Sequence, residues 1–291
     1  MDPAPTFAAR TRLTNAQNLG VWLVLGRASN LPTVWSNCIA GCWLGGWNTP
    51  SALLLLCLGA TLLYTGGMFL NDACDVAFDA QHKRERPIIA GLATRRSVAV
   101  TGSGLLFGGI LLAGSINDRA LAFSIMLAAA IVLYDLTHKR ISWAPVIMAA
   151  CRFLLYCTAA SVGTNGITPR ALLFAAALAA YILGVSCLAR MESGVRGSGR
   201  VWPWLLCVPI AAALASDFSI ATLLFAAPLL FFIGRGLILQ RQQIGPAVAL
   251  FLAAIVLVDL LAVSPRSLAF CLTFAAMFAL TLLFQKFIPS T

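Results

Sequence analysis

Four oxygen-bearing side chains, Asn71, Asp72, Asp75 and Asp79, fall within the stretch NDACDVAFDAQHKRERPI at residues 71–88. On a helix Asp72, Asp75 and Asp79 stand at i, i+3 and i+7, and Asn71, Asp75 and Asp79 at i, i+4 and i+8, so all four share one face. Hard oxygen donors clustered in this way suit Mg²⁺, which takes a few carboxylates and completes its shell with water and the oxygens of a phosphorylated substrate. The chain's densest basic cluster follows at once, with Lys83, Arg84, Arg86, Arg95 and Arg96. Three aspartates at the centre of a bilayer would cost roughly 2.5 to 3.5 kcal/mol each on the insertion scale. They must therefore line a wet cavity or bind cations.

The bilayer enters through composition. Of 291 residues, 60% are hydrophobic and 10% charged, and the mean hydropathy is +0.90. A soluble domain carries about 25% charged residues, so this chain lacks the polar surface to cover itself in water. Long apolar runs without alternation exclude an outer-membrane barrel, and the fold class is an all-α polytopic membrane bundle. A helix needs about 20 residues to cross. Apolar runs near 20–46, 51–71, 97–115, 120–136, 143–163, 171–190, 201–215, 218–238, 245–263 and 267–285 meet or approach this length, the seventh short enough for a half-span. Nine to ten transmembrane helices are predicted, in one domain over residues 1–291 with residues 1–18 as a cytoplasmic tail.

Basic residues orient the bundle, because cytoplasmic loops collect Lys and Arg. One set of alternating loops holds Arg10 and Arg12, Lys83 to Arg96, Lys139 and Arg140, Arg190 to Arg200, Arg235 and Arg241, and Lys286; the other holds Arg119, Arg170 and Arg266. The net charge of +10 thus records orientation in a cytoplasmic (inner) membrane, with the carboxylates facing the cytoplasm. It does not imply a nucleic-acid partner. The N-terminal stretch is polar, without a signal-peptide core. Nine scattered cysteines without a CxxC pair read as small packing residues.

Charged residues outside the first cluster divide into two groups. Asp2, Asp118, Asp217 and Asp135 read as solvated tail and loop residues, and Asp259, in the run AAIVLVDLLAV, as a structural hydrogen-bond partner. Arg inside a span usually faces a cavity. Arg152 is expected to hold an anion or carboxylate, whereas Arg27 fits either a cavity or snorkelling to the interface.

The stretch from Asn71 to Ile88 resembles the first aspartate-rich motif, NDxxDxxxD followed by RPI, of the UbiA superfamily of intramembrane prenyltransferases. Arg27 and Asn30 in GRASNLPT, and YDLTHKR at residues 134–140, agree in order, so the similarity covers residues 20 to about 200. CRFLLY at 151–156 and LARMESG at 188–194 look most like the EboC-type subgroup. The resemblance implies a helical bundle around a lipid-open cavity and Mg²⁺-dependent transfer of an isoprenoid from a prenyl diphosphate to a small acceptor, often aromatic. It implies that Asn71, Asp72, Asp75 and Asp79 hold Mg²⁺, and that Arg86, Lys139 and Arg140 neutralise the leaving pyrophosphate. Arg27, Asn30, Tyr134, Arg152 and Arg190 are implied as further substrate contacts. Phe78, Tyr134, Phe153 and Tyr156 are candidates for the aromatic wall around an allylic cation.

The sequence departs from the family at the second aspartate motif. The DxxxD pattern should fall in GVSCLARMESGVRG, where Glu192 is acidic but Leu188 stands four residues earlier. Glu192 is then the remaining candidate for a second metal position. Prenyl-chain cyclisation, phosphoribosyl transfer to a polyprenyl phosphate, and non-catalytic binding or transport of a prenyl lipid stay open as alternatives.

Overall fold

The structure, a computed structural model, describes residues 15–192, 202–264 and 268–289. The helices are α1 Asn15–Leu25, α2 Leu31–Leu44, α3 Pro50–Cys74, α4 Val76–His82, α5 Arg95–Gly114, α6 Asp118–Thr137, α7 Ala144–Val162, α8 Pro169–Glu192, α9 Trp202–Leu205, α10 Val208–Ser216, α11 Ile220–Leu239, α12 Ile244–Ala253, α13 Ile255–Val263 and α14 Leu268–Phe284. Among the described residues seven helices are long and apolar enough to cross a membrane, α12 and α13 counting together. With the broken α1–α2 pair, the short α9–α10 pair and α14, they account for every apolar stretch read from the sequence.

Capping side chains start the long helices. Thr49, Thr94, Asn117 and Ser219 each accept from a first-turn backbone N–H, and Pro50 follows Thr49, which removes donors that hydrocarbon could not satisfy. Two interruptions matter for function. Between α1 and α2, Arg27 adopts φ 44° and ψ 49°, and a 3₁₀ turn covers Ala28–Asn30. A left-handed, non-glycine residue is a strained conformation that its surroundings must enforce. The second interruption is at Asp75, the C-cap of α3, after which α4 restarts. The continuous helix expected through residues 71–79 is therefore divided, although Asn71, Asp72, Asp75 and Asp79 all remain buried.

Close approach of α3 and α5 holds the motif in place. A Cβ on Gly66 would lie 2.7 Å from the Gly102 carbonyl oxygen, and one on Gly109 would lie 2.8 Å from that of Gly59. Glycines seven apart on each helix thus let two backbones meet, the packing that substitutes for a hydrophobic drive inside a bilayer. At the same end, Arg95 Nε donates to the Ala73 carbonyl at 2.9 Å, satisfying an orphan acceptor of the last α3 turn. The largest apolar core lies among α7, α8 and α10–α13 and includes Tyr181, Leu188 and Phe251. Leu54, Phe107 and Phe231 are exposed, as lipid-facing side chains should be.

Candidate active site

The broken helices and the α6–α7 connection surround a cavity of about 440 Å³. Its charged end collects Arg27, Asn71, Asp75, Asp79, Lys83 and Arg86, joined by Tyr134, Asp135, His138, Lys139 and Arg190. Leu63, Leu127, Leu155, Ile182 and Val248 line its apolar part, with Asn30, Tyr64 and Arg152 as polar members.

Asp72 and Asp75 are held by separate cations. Arg86 Nη1 donates to Asp72 Oδ1 at 2.7 Å, and Arg27 Nη2 approaches the same oxygen at 3.5 Å and Asn71 Oδ1 at 3.3 Å. Asp75 Oδ2 lies 3.2 Å from both His138 Nε2 and Lys139 Nζ. Lys139 also stands 3.9 Å above the Phe78 ring, and Tyr134 stacks on His138 at 4.7 Å. Burial raises the Asp75 carboxyl, but the hydrogen bonds and charges of His138 and Lys139 outweigh it and hold the group below its usual value. Asp79 goes the other way. Burial pushes its carboxyl up, Asp75 and Asp72 add to the rise, and the opposing Arg86 and Lys139 charges do not cancel it.

The donor chemistry of Asp72, Asp75 and Asp79, hard carboxylate oxygens, is of the kind Mg²⁺ takes. Asp72 Oδ2 is buried without a hydrogen-bond partner, an acceptor left over for a bound cation. Among the described residues, no three His, Cys, Asp or Glu side chains are close enough to cage an ion alone. A Mg²⁺ bound here would draw on one or two carboxylates and fill its octahedron with water and phosphate oxygens.

Arg27 lines the cavity and pairs with Asp72, so the cavity reading of this residue holds over snorkelling. Asn30 Nδ2 donates to Tyr64 Oη at 3.3 Å. Arg190 reaches the cavity while donating to the carbonyls of Ile141 and Ser142, so it also clamps the α6–α7 connection. Lys139 is 40% exposed and joins the cavity; Arg140 is exposed and lies outside the lining. Of the aromatic candidates, Phe78 and Tyr134 line the cavity, whereas Phe153 and Tyr156 do not. Glu192 ends α8, but its side chain, with all of Arg196 and Arg200, lies outside the described residues. Leu188 is fully buried in the apolar core and is not part of the lining.

Two residues escaped the sequence reading. Asp135 is not a solvated helix end: it is 6% exposed, lines the cavity, and accepts from Asn71 Nδ2 at 3.1 Å. One turn of α6 separates it from the loop, and only the neighbouring α3 reveals which way that turn faces. His138 sits within YDLTHKR between Thr137 and Lys139, and its position four residues after Tyr134 puts the two rings on one helix face, which is the local signal for it.

The UbiA prenyltransferase family pattern matches residues 29–282. The chain is 32% identical over 97 residues to digeranylgeranylglyceryl phosphate synthase of Methanothrix thermoacetophila, covering 33% of this chain and 35% of that one. It is 28% identical over 138 residues to 4-hydroxybenzoate octaprenyltransferase of Nitrosomonas eutropha, covering 46% and 45%. The matched segment thus spans less than half the length of either relative. A UbiA homologue from Archaeoglobus fulgidus superimposes with a TM-score of 0.63 at 13% identity, over 90% of this chain and 99% of that one. The same homologue bound to GPP and Mg²⁺ gives a TM-score of 0.57, again at 13% identity, over 90% and 98%. The EboC-type resemblance stays a reading of short sequence motifs alone. With its apolar helices, its bundle around a cavity and a pattern match over most of its length, the chain is an integral membrane protein that belongs to the UbiA prenyltransferase family.

Proposed function

We propose that this chain is a Mg²⁺-dependent prenyltransferase, one helical domain that moves an isoprenoid from a prenyl diphosphate to a small acceptor, with its site open to the cytoplasmic side of the inner membrane. One observation carries the reading: buried carboxylates and a ring of Arg, Lys and His occupy one end of a cavity whose remainder is largely apolar. A diphosphate with an isoprenoid tail has the same division. The orientation rests on the basic loops around residues 83–96 and 139–140.

Asn71, Asp72, Asp75 and Asp79 would hold Mg²⁺, which supplies Lewis-acid stabilisation of the leaving diphosphate oxygens. The residues of the chain do the rest. Arg27 and Arg86 on Asp72, and His138 and Lys139 on Asp75, are stored beside the carboxylates and turn to phosphate oxygens when a donor enters. As the allylic C–O bond breaks, its electron pair leaves with the pyrophosphate, where fixed cations stabilise the growing charge more than the ground state. Tyr134, stacked on His138 by one face, presents the other to the cation left behind. The acceptor then forms the new bond to the allylic carbon and releases a proton to solvent or to pyrophosphate. Asp135 holds Asn71 in place as a positioning residue.

The test is Mg²⁺-dependent release of pyrophosphate from geranyl diphosphate by protein in lipid vesicles, with 4-hydroxybenzoate and a glycerol phosphate ether as alternative acceptors. Release that requires both Mg²⁺ and an acceptor is the expected result. Release without acceptor would instead favour cyclisation. Tight binding with no release for any acceptor would replace the reading with lipid binding.

A further inference from the structure

On the outside of the bundle, α11 carries a cation where lipid is the neighbour. Leu224, Ala227, Phe231, Gly234, Arg235 and Ile238 follow one another at helical spacing, and all are exposed. From Leu224 to Arg235 is eleven residues, roughly 16 Å at 1.5 Å each. That is close to the hydrocarbon depth of one leaflet, about half of 30 Å. The apolar stripe therefore runs through one leaflet before it meets the guanidinium.

The surface around Arg235 is hollow. An open groove of about 670 Å³ is lined by Phe231, Gly234, Arg235, Ile238 and Gln242, among others. A Cβ on Gly234 would meet nothing within 4 Å, whereas one on Gly236 would collide with the Phe251 ring. The inner face of α11 is thus closed by packing and its outer face left open. An arginine within a span usually faces the bundle interior and finds a partner there. Arg235 does neither: it is exposed, and no ion pair among the described residues includes it or Arg241. Residues 218–258 contain no Asp or Glu, so the local charge is positive only. Arg235 stands four residues before Leu239, the end of α11, roughly 6 Å along the axis, a depth from which an arginine reaches the headgroup layer. Arg241 and Gln242, both exposed, follow in the turn beyond.

We propose that this groove binds an anionic phospholipid, its phosphate held by Arg235 and Arg241 with Gln242, and an acyl chain lying over Gly234 and Phe231. Charge complementarity selects this occupant. A second copy docked through the same stripe would bring two Arg235 and two Arg241 into one interface, with no acid in residues 218–258 to offset them. A prenyl diphosphate would find no carboxylate there to hold Mg²⁺. A single phosphodiester charge suits the cations present. The site is independent of the prenyl-transfer reading.

The test offers detergent-purified full-length protein equal amounts of phosphatidylglycerol and phosphatidylcholine with matched chains, and counts retained lipids by native mass spectrometry. The wild type should retain phosphatidylglycerol about tenfold over phosphatidylcholine, with Arg235 contributing about fivefold, the worth of one arginine near an anionic surface. Arg235→Gln should lose that fivefold with an unchanged thermal midpoint. Gly234→Leu, which keeps both charges and has room for its Cβ, should lower retention of both lipids without changing their ratio. Arg96→Gln, at an exposed cation on α5, should match the wild type. The proposal fails if the wild type shows no preference, if Arg235→Gln keeps all of it, or if Arg96→Gln loses as much, which would make the preference a matter of net charge. It also fails if the protein is a dimer that Gly234→Leu separates, since the groove would then join two copies. Displacement of phosphatidylglycerol by geranyl diphosphate without Mg²⁺, in the wild type but not in Arg235→Gln, would overturn the choice of occupant.

Discussion

Two regions of this protein pair aspartate with arginine, and they do so in opposite ways. At the cavity mouth Arg86 and Arg27 touch Asp72 directly, and the half-exposed Lys139 touches Asp75. Deeper in the bundle Asp259, with no exposure, meets Arg152 only through Asn37. Direct contacts to side chains with solvent access can be exchanged, because water and an incoming anion compensate each partner as it leaves. A buried relay cannot be exchanged without stranding a charge, and breaking such an arrangement is strongly destabilising. The mouth is built to change partners; the deep network is built to keep them.

Substitutions should separate the two. The largest effect is expected for Asp75→Ala, with Mg²⁺-dependent pyrophosphate release falling by about a thousandfold while the thermal midpoint stays near that of the wild type, since several kcal/mol of charge stabilisation disappear from the reaction alone. Leu188→Asp comes next. It places a lone carboxylate in the apolar core, should reduce stability by several kcal/mol, and should give no gain in turnover. A gain would mean that the second motif is restored and that α8 can turn Leu188 toward the cavity. Asp259→Ala should lower stability by about 3 kcal/mol in thermal unfolding, with a smaller effect on donor affinity than on folding. If it spared stability and abolished turnover, the contrast between mouth and deep network would collapse. The smallest effect belongs to Arg86→Ala, about tenfold in turnover, because Arg27 remains to share Asp72.

Much of the mouth was legible in the sequence, because its acids stand a few residues apart and helical periodicity alone puts them on one side. The break at Asp75 was not legible, since it depends on how α4 meets its neighbours, yet it leaves the four oxygen-bearing residues buried together. Asp135 is hidden from the sequence for a related reason: a residue in the last turn of a span faces either solvent or a neighbour, and only the packing of α3 against α6 decides which. The deep network was the least legible. Arg152 stood out as a cation within a span, but Asn37 and Asp259 lie over a hundred residues away on either side, and no local spacing connects them.

By itself the sequence determined the solvent of this protein, its helical spans, the one-sided arrangement of its first acidic motif and its family likeness. These follow from hydropathy, from a bilayer that forces backbone hydrogen bonds inside each helix, and from a period of 3.6 residues. Only the tertiary structure decided which carboxylate pairs with which cation, that Leu188 belongs to the core, and that Arg152 is fixed by Thr33 and Asn37. Those outcomes depend on the rotation and depth at which helices distant in sequence meet, and that is set by packing across the bundle.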